Sequence, residues 1–221
     1  MRILMALLLA FTAPASFAIG IEAMTFSMPA DSDFIAKRLT NDNQTARLYQ
    51  IAIYALDKPG DQEQLSRPAE GELLYAPKQL TLSPGQSDIF KFFWHGPEDD
   101  RERYYRVLFR EQPTQMRSGA LAQGGAINMA PTVVLQTILV VRPRKTRFDW
   151  QWAAGSQRLR NSGNTWFKLL LKADCDSDDA QAVSFYLRPG EQIQHALLRG
   201  KGQKVIVYDG RFIPLDNACV E

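Results

Sequence analysis

The two cysteines, Cys175 and Cys219, are the residues of this 221-residue chain with the most direct capacity for chemistry. They are too far apart in sequence for a Cys-x-x-Cys redox motif. A structural zinc site needs about four ligands, and the only histidines, His95 and His195, each stand alone in the sequence. The cysteines are therefore predicted to form one structural disulfide if the chain is exported, with a metal or redox pair as the alternative.

Other side chains that could do acid–base chemistry are poorly arranged. His95 falls in a turn, and neither histidine has a serine, cysteine or carboxylate motif beside it. Asp99-Asp100 and Asp178-Asp179 are adjacent pairs, and adjacent side chains point in different directions. Gly85 and Gly96 are isolated turn glycines, which do not make a phosphate-binding loop. No enzyme, metal or cofactor is predicted. Two carboxylates that are distant in sequence and meet only in the fold, as in a hydrolase, could not be recognised from the sequence.

The charge of the chain is nearly balanced. The 26 Lys and Arg residues against 24 Asp and Glu residues leave a formal net charge of +2, and the cations are spread along the sequence. Nucleic-acid binding usually needs a concentrated basic patch. The charges therefore indicate a solvated surface with a few special sites, and no nucleic-acid partner is predicted.

The first 18 residues have the three parts of a secretory signal peptide. Met1-Arg2 is a short basic start, residues 3–11 are almost wholly apolar, and Ser16-Phe17-Ala18 places small residues at a cleavage site. The apolar run is shorter than the roughly 20 residues that a membrane-spanning helix needs. A buried N-terminal strand is the alternative. The pattern predicts an exported protein that begins at Ile19 after cleavage and has no membrane anchor.

Segments rich in β-branched and aromatic residues recur along the rest of the chain, and helical periodicity is hard to find. The predicted strands include residues 47–56, 89–94, 103–109 and 132–141, and then residues near 148–152, 157–160, 165–172, 183–187, 192–198, 204–208 and 212–215. Turn clusters such as Ser83-Pro84-Gly85 and Asp209-Gly210 separate them. Short strands at this spacing are typical of antiparallel sandwiches, so an all-β fold is predicted.

The segment Arg142-Pro143-Arg144 ends the longest apolar strand, and a proline there stops a β-ladder. We therefore predict two β-sandwich domains in series, residues 19–142 and residues 143–221, with no apparent sequence repeat between them. Residues 115–130 contain Gly119, Gly124 and Gly125 and are predicted to form a mobile loop between two long strands. An ordinary flexible surface loop is the plain interpretation of that segment.

Five short motifs, in this order and spacing, resemble the PapD-like periplasmic pilus chaperones over essentially the whole mature chain. They are Leu39-Thr-Asn-Asp-Asn43, Leu82-Ser-Pro-Gly85, the run from Arg101 to Tyr105 followed by Phe109-Arg-Glu-Gln-Pro113, Val141-Arg142-Pro143 and Tyr208-Asp209-Gly210. Residues 103–106 and 137–143 are most similar to the branch that serves the common pilus. The resemblance implies two immunoglobulin-like sandwiches in an L-shaped or boomerang molecule, with a cleft between the domains.

The resemblance also implies that the seventh strand is lent to an unfinished pilus subunit, which is a form of β-augmentation. Four apolar side chains on one face of the long strand are the predicted donor residues: Ile127, Met129, Val133 and Leu135. They share that face with Thr137, Leu139 and Val141, which are predicted to cover the core of the first domain. Uncovered alternate apolar residues on a sheet edge are an aggregation hazard, so a partner would explain them. The alternative is that they are ordinary sandwich core.

Three charged residues form an interdomain cluster by the same resemblance. Glu102 lies at the start of the sixth strand, Arg142 at the end of the seventh, and Asp209 in a turn of the second domain. The cluster is expected to fix the angle between the domains. The alternative is a solvated trio that contributes almost nothing to stability.

The better-known branch of the family holds the subunit carboxylate with an arginine on strand one and a lysine on strand seven. Here Ile138 takes the lysine position, and residues 19–28 contain no Arg or Lys. If Glu102 lies opposite Arg142, antiparallel register places Arg106 opposite Ile138, on the face turned toward the cleft. Arg106 is therefore the predicted anchor, with Lys37 and Arg47 as weaker candidates for the other half of a clamp. The alternative is that Arg106 pairs with a local acid.

The function predicted from these features is a periplasmic chaperone that binds, stabilises and delivers pilus subunits. An outer-membrane usher is the expected recipient, and self-association of the free protein is a further expectation. The competing hypothesis is a secreted structural or adhesive fimbrial subunit. A subunit usually has one incomplete sandwich with an N-terminal donor extension, whereas the donor strand proposed here lies between two complete domains.

Overall fold

The computed structural model describes residues 19–21, 23–60, 62–114 and 132–219. The predicted signal peptide, the glycine-rich segment and two of the predicted donor residues, Ile127 and Met129, therefore lie outside the described residues. Within the described ranges the fold is almost wholly β, as predicted, and no helix is long and apolar enough to cross a membrane.

Seventeen strands and two single-turn 3-10 helices make up the described part of the chain. The strands are β1 (Ile19–Ile21), β2 (Thr25–Met28), β3 (Phe34–Asn41), β4 (Arg47–Leu56), β5 (Leu65–Ser66), β6 (Leu73–Ala76), β7 (Gln79–Leu82), β8 (Ser87–Trp94), β9 (Arg103–Pro113), β10 (Val133–Val141), β11 (Trp150–Trp152), β12 (Arg158–Asn161), β13 (Phe167–Leu171), β14 (Val183–Leu187), β15 (Gln192–Gln194), β16 (Lys204–Tyr208) and β17 (Arg211–Pro214). The 3-10 turns span Asp179–Gln181 and Ala196–Leu198.

Strands β1 to β10 form two sheets that pack face to face. One sheet has the order β1-β3-β8-β6, and the other has the order β2-β10-β9-β4-β5, with β7 also paired to β4. Alternate residues of each strand point between the sheets, because side chains in a strand have a period of two. On β9 the inward residues are Tyr105, Val107 and Phe109, and each is almost fully buried.

The pairing of β9 with β10 has the register predicted from the sequence. Tyr104 pairs with Val140 and Arg106 pairs with Ile138. The even-numbered side chains of both strands therefore share the outer face of the sheet, opposite the core of this sandwich. On that face Tyr104 and Val140 are buried and contact Trp166 of the second sandwich.

The first predicted strand, residues 19–28, is divided between the two sheets. β1 runs antiparallel to β3, whereas β2 runs parallel to β10 and covers only its Ile138–Val141 half. Within the described residues, the other half of β10 pairs with β9 alone. One side of residues 133–137 thus has no strand partner within the described part of the chain, and we call it the open edge of β10.

Strands β11 to β17 form a second pair of sheets, with the orders β11-β12-β15 and β14-β13-β16-β17. The core between them contains Leu159, Phe167, Leu169 and Leu198, which are fully buried. Residues 192–198, predicted as a single strand, instead end their strand at Gln194. There His195 caps the 3-10 turn, because its side chain accepts a hydrogen bond from the backbone N–H of Leu197.

The predicted disulfide joins Cys175 to Cys219, with the two Cα atoms 5.4 Å apart. It ties the segment after β13 to the chain beyond β17. The bridge closes a loop across a sequence separation of 44 residues. Such a loop stabilises a domain by about 2–4 kcal/mol, mainly by restricting the unfolded chain.

A buried asparagine holds a tight turn in the first sandwich. Asn41 is fully buried, and its side-chain amide donates to the carbonyls of Thr45 (3.0 Å) and Leu82 (2.9 Å). Its backbone N–H donates to the carbonyl of Gln86 (2.9 Å), and its own carbonyl accepts from Gly85 (2.8 Å). Gly85 has a φ of 71°, which suits the third position of a type II turn after proline.

The second sandwich repeats this arrangement bond for bond. Asn161 is also fully buried and donates to the carbonyls of Thr165 (2.9 Å) and Leu187 (3.0 Å). Its backbone N–H donates to the carbonyl of Glu191 (2.8 Å), and its carbonyl accepts from Gly190 (3.0 Å). Asn41-x-x-x-Thr45 and Leu82-x-Pro84-Gly85 therefore have counterparts in Asn161-x-x-x-Thr165 and Leu187-x-Pro189-Gly190, so a short sequence repeat is present after all.

Replacing Asn161 by alanine is expected to destabilise the protein by about 1–3 kcal/mol, because two buried carbonyls lose their donor. Urea unfolding measures the change. Asn217→Ala is the matched control, since Asn217 is exposed in the segment after β17. Equal stability of the two variants would show that the buried amide does not hold the turn.

Candidate functional site

A buried polar network joins the two sandwiches where β10 passes into the second one. The side chain of Glu102 is 1% exposed and that of Arg142 is 2% exposed, and their nearest nitrogen and oxygen atoms are 3.9 Å apart. Nε of Arg142 approaches the Asp209 carboxylate at 2.8 Å, and its guanidinium stacks on the ring of Tyr208 at 4.4 Å. The structure thus brings the three residues of the predicted interdomain cluster together.

Glu102 also receives hydrogen bonds from both sides of the interface. The Thr165 hydroxyl donates to it at 2.7 Å, the backbone N–H of Trp166 donates at 2.9 Å, and the Tyr104 hydroxyl donates at 2.5 Å. Burial raises the pKa of Glu102, while these donors and the charge of Arg142 act to lower it. Burial likewise raises the pKa of the Tyr104 hydroxyl, which stays a donor.

Arg142 reaches farther into the second sandwich than the sequence suggested. It donates to the carbonyl of Trp166 at 3.2 Å and also to the hydroxyl of Thr165. Neither residue was predicted as part of the cluster, because Thr165 and Trp166 carry no charge. They were expected in a strand over residues 165–172, but β13 begins only at Phe167. The network is therefore a set of oriented hydrogen bonds and not an ion-pair trio alone.

Two further contacts connect the sandwiches at the rim of the cleft. Arg188, in the Leu-x-Pro-Gly turn of the second sandwich, donates to the carbonyl of Pro59 at 2.7 Å. The Asn164 amide donates to the carbonyl of Asp100 at 2.8 Å. Pro59 belongs to the loop between β4 and β5, whose described residues 57–60 and 62–64 form one wall of the cleft.

The predicted anchor Arg106 lies on the outer face of its sheet, opposite Ile138. Its guanidinium makes a two-pronged ion pair with Glu63 of the β4–β5 loop, with Nε to Oε1 at 3.0 Å. The side chains of Arg106 and Glu63 are 14% and 19% exposed, so the pair is only partly screened. Arg106 is therefore held by a local acid in the free protein, which is the alternative weighed for this residue.

The other two predicted anchor residues do not lie beside Arg106. Lys37 lies on β3, in the other sheet, and points inward, with its ammonium 4.9 Å from the ring of the core residue Phe26. Arg47 pairs in register with Pro113, whereas Arg106 pairs with Tyr54. Seven residues of strand separate these positions, or roughly 23 Å.

Arg47 belongs instead to a polar cluster at the far end of β4. Its Nε lies 3.5 Å from the buried carboxylate of Glu111, which also accepts from the amide of Asn43 at 3.1 Å. These contacts correct the predicted clamp, because neither Lys37 nor Arg47 lies beside Arg106.

The predicted donor residues that are described differ in exposure. Val133 is 39% exposed at the start of the open edge, and its neighbour Val134, on the opposite face, is 44% exposed. Leu135 packs partly against the core of the first sandwich, so it is less free than the sequence suggested. Thr137, Leu139 and Val141 are buried, as their predicted place over the core requires.

Comparison with known proteins decides the family. No family model matches the chain. The probable fimbrial chaperone EcpE of Escherichia coli strain K12 is 47% identical over 207 residues, which cover 94% of this chain and 88% of EcpE. This chain belongs to the fimbrial chaperone family. The probable fimbrial chaperone EcpB of Escherichia coli O157:H7 is 30% identical over 220 residues, covering 96% of this chain and 97% of EcpB.

Solved structures of chaperones share the fold. The Escherichia coli chaperone DraB matches with a TM-score of 0.57 and 20% identity, over 89% of this chain and 94% of DraB. The structure of the Salmonella enterica SafA pilin in complex with the SafB chaperone contains a match with a TM-score of 0.55 and 15% identity, over 92% of this chain and 96% of the matched one. The resemblance to PapD-like chaperones of the common-pilus branch is thereby confirmed, and the chain is a chaperone and not the fimbrial subunit considered as the alternative.

Within this fimbrial chaperone, sequence reasoning missed two residues of the cleft, Glu63 and Arg188. Glu63 comes from a loop without periodicity, so no pattern could place its carboxylate on Arg106. Arg188 could have been found, because its Leu-x-Pro-Gly turn repeats the turn at residues 82–85. Both residues change the electrostatics of the cleft. Glu63 forms an ion pair with Arg106, and Arg188 donates to the carbonyl of Pro59.

Proposed function

We propose that this chaperone binds pilus subunits by lending them the open edge of β10. The observation that carries the proposal is the change of partner along that strand. β2 pairs with Ile138–Val141, and within the described residues Val133–Thr137 have a paired strand on one side only. An incomplete sandwich that lacks one strand could pair with this edge and cover the exposed side chain of Val133.

The cleft supplies the second element of the proposal. A subunit strand on the open edge would end where β2 begins, beside Ile138 and the guanidinium of Arg106. A terminal carboxylate could then replace the carboxylate of Glu63 on Arg106, because a guanidinium binds any carboxylate through the same two N–H groups. The interdomain network would hold the second sandwich in place as the other wall of the cleft.

The cellular setting is part of the proposal. Residues 1–18 would direct export and be removed, the domain boundary would lie at residues 142–143, and the mature chaperone would act in the periplasm. It would pass its subunit to an outer-membrane usher, as the family relationship implies. In the absence of a subunit, two copies could pair through their open edges, because a free edge is a template for any second strand.

Co-expression with candidate pilus subunits, followed by co-purification from the periplasm, tests the proposal. Replacing Val133 by serine is expected to lower subunit recovery by about tenfold, because burying a side chain of this size contributes about 1.5–3 kcal/mol. The fold should be unaffected, since Val133 is 39% exposed in the free protein.

Val134→Ser is the matched control, with the same substitution at the next residue and on the opposite face of the strand. Its recovery is expected to stay near that of the wild type. Equal losses for the two variants would contradict the donor-strand assignment, and a Val133→Ser protein that does not fold would indicate a core residue instead.

A further inference from the structure

A cavity of about 540 Å³ lies on the outer face of the second sandwich, on the sheet β14-β13-β16-β17. Its size falls within the about 300–1,000 Å³ that is usual for ligand-binding pockets. All of its lining comes from the second sandwich and shares no residue with the lining of the cleft. A ligand in this cavity would therefore leave the cleft and the open edge of β10 unoccupied.

The floor of the cavity is more apolar than the outer face of a sheet usually is. Leu170 pairs with Val205 across β13 and β16, and both point outward, because their neighbours Leu169 and Ile206 point into the core. Phe212 of β17 also lines the cavity and is 70% exposed. An antiparallel sheet with one solvated face normally carries polar residues on that face. Apolar residues gathered there indicate a contact site.

The loop between β13 and β14 forms one wall of the cavity and is held at two points. Asp179 and Ala182 of this loop line the cavity. Cys175 in the same loop is bonded to Cys219, and Asp179 pairs with Lys172 at 2.5 Å. A wall that is already fixed need not be ordered when a ligand enters, which lowers the free-energy cost of binding.

Two lysines give the cavity its charge. Lys168 and Lys172 both line it, and four residues of strand, or roughly 13 Å, separate them. Lys172 is paired with Asp179, whereas Lys168 has no ion pair within the described part of the chain and lies 5.7 Å from the ring centre of Tyr186. Among the described residues that line the cavity, Asp179 is the only acid. An excess positive charge therefore lies beside the apolar floor.

We propose that this cavity is a docking site for an acidic peptide segment of a partner protein, in which an apolar side chain lies next to a carboxylate. The apolar side chain would cover Leu170, Val205 and Phe212, and the carboxylate would bind the ammonium of Lys168. Because the site lies apart from the cleft, a chaperone that carries a subunit could bind this partner as well. The inference does not depend on the donor-strand function, since no residue of β10 lines the cavity.

Fluorescence anisotropy with the labelled peptide Gly-Asp-Phe-Asp-Gly tests the site. Lys168→Glu is expected to weaken binding by about tenfold or more, because attraction of the carboxylate is replaced by repulsion. The same variant should bind the charge-reversed peptide Gly-Lys-Phe-Lys-Gly more tightly than the wild type does. Lys91→Glu is the matched control, since Lys91 is exposed on β8 of the first sandwich. Its affinity should stay within about twofold of the wild type.

Ser184→Trp distinguishes binding in the cavity from attraction to surface charge alone. Ser184 is exposed and lines the cavity, so an indole at this position fills it and leaves every charge in place. The variant is expected to bind Gly-Asp-Phe-Asp-Gly about tenfold more weakly, because the apolar floor is covered. Ser66→Trp, at an exposed position of β5, should bind it as the wild type does. Urea unfolding checks that each variant is folded.

Three results would overturn the proposal. The first is equal affinity for Gly-Asp-Phe-Asp-Gly and Gly-Asn-Phe-Asn-Gly, or no binding of either up to about 1 mM peptide. The second is a wild-type dimer that Ser184→Trp converts to monomers, because a second copy of the chain would then fill the cavity. The third concerns the chaperone–subunit complex, which should bind the peptide as tightly as the free chaperone. A lower affinity of the complex would show that the subunit covers the cavity.

Discussion

Replacing Arg142 by alanine is expected to destabilise the chaperone by about 3–5 kcal/mol, since removing one partner leaves the other charge buried and unpaired. The unpaired charge is that of Glu102, whose side chain is 1% exposed. The variant also loses the contact to Asp209 and the hydrogen bond to the carbonyl of Trp166. Urea unfolding measures the free-energy difference.

A double variant shows how much of the stability loss comes from leaving the charge of Glu102 buried without a partner. Arg142→Met combined with Glu102→Gln is expected to lose less stability than Arg142→Ala alone, because no uncompensated charge stays buried. Arg142→Lys should recover little, because an ammonium cannot reproduce the planar fork that contacts Asp209, Thr165 and Trp166. A loss below about 1 kcal/mol for Arg142→Ala would instead indicate a solvated cluster.

The pH dependence of this variant follows from the pKa of Glu102. Burial already raises that pKa in the folded protein, and removing the Arg142 charge raises it further. A carboxyl whose folded pKa lies above its unfolded value contributes most at low pH, and its contribution is lost as the pH rises through the folded pKa. The stability gap between wild type and Arg142→Ala is therefore expected to narrow on acidification.

The strands and one register could be predicted from the sequence, because both follow from periodicity. The bulky residues Tyr105, Val107 and Phe109 fix which face of β9 points inward, and that parity places Arg106 opposite Ile138. The predicted range 47–56 matches β4 residue for residue. The alternation of apolar and polar residues within a strand predicts which side chains are buried, and it can be read from the local sequence alone.

The partners of the cleft residues could not be predicted, because they come from turns. Glu63 reaches Arg106 across 43 residues of sequence, from a loop that has no hydrophobic pattern. Lys37 was predicted as part of the clamp, but it lies two residues before the buried Leu39 on β3 and therefore points inward. The sequence also did not predict that residues 19–28 are divided between two sheets. A strand that changes sheet keeps the same alternation of apolar and polar residues, so the sequence pattern does not show the change.

Arg106→Glu is expected to lower recovery of a co-expressed pilus subunit by about 100-fold. A charge-assisted hydrogen bond contributes about 1.5–3 kcal/mol, and reversal replaces attraction of the subunit carboxylate with repulsion. The ion pair with Glu63 leaves a second interpretation, in which Arg106 only fixes the β4–β5 loop. Periplasmic co-purification of the two single-residue variants Arg106→Gln and Glu63→Gln distinguishes the two.

If Arg106 binds the subunit, the carboxylate of Glu63 competes for the same guanidinium. Glu63→Gln should then raise recovery, whereas Arg106→Gln should lower it. If the pair only holds the loop, both variants lose the same contact, and recovery should fall equally in both. Arg110→Gln is the matched control, because Arg110 lies on the same face of β9, four residues along, and is exposed. Equal losses at Arg106 and Arg110 would show a general effect of positive charge, and would remove Arg106 from the anchor.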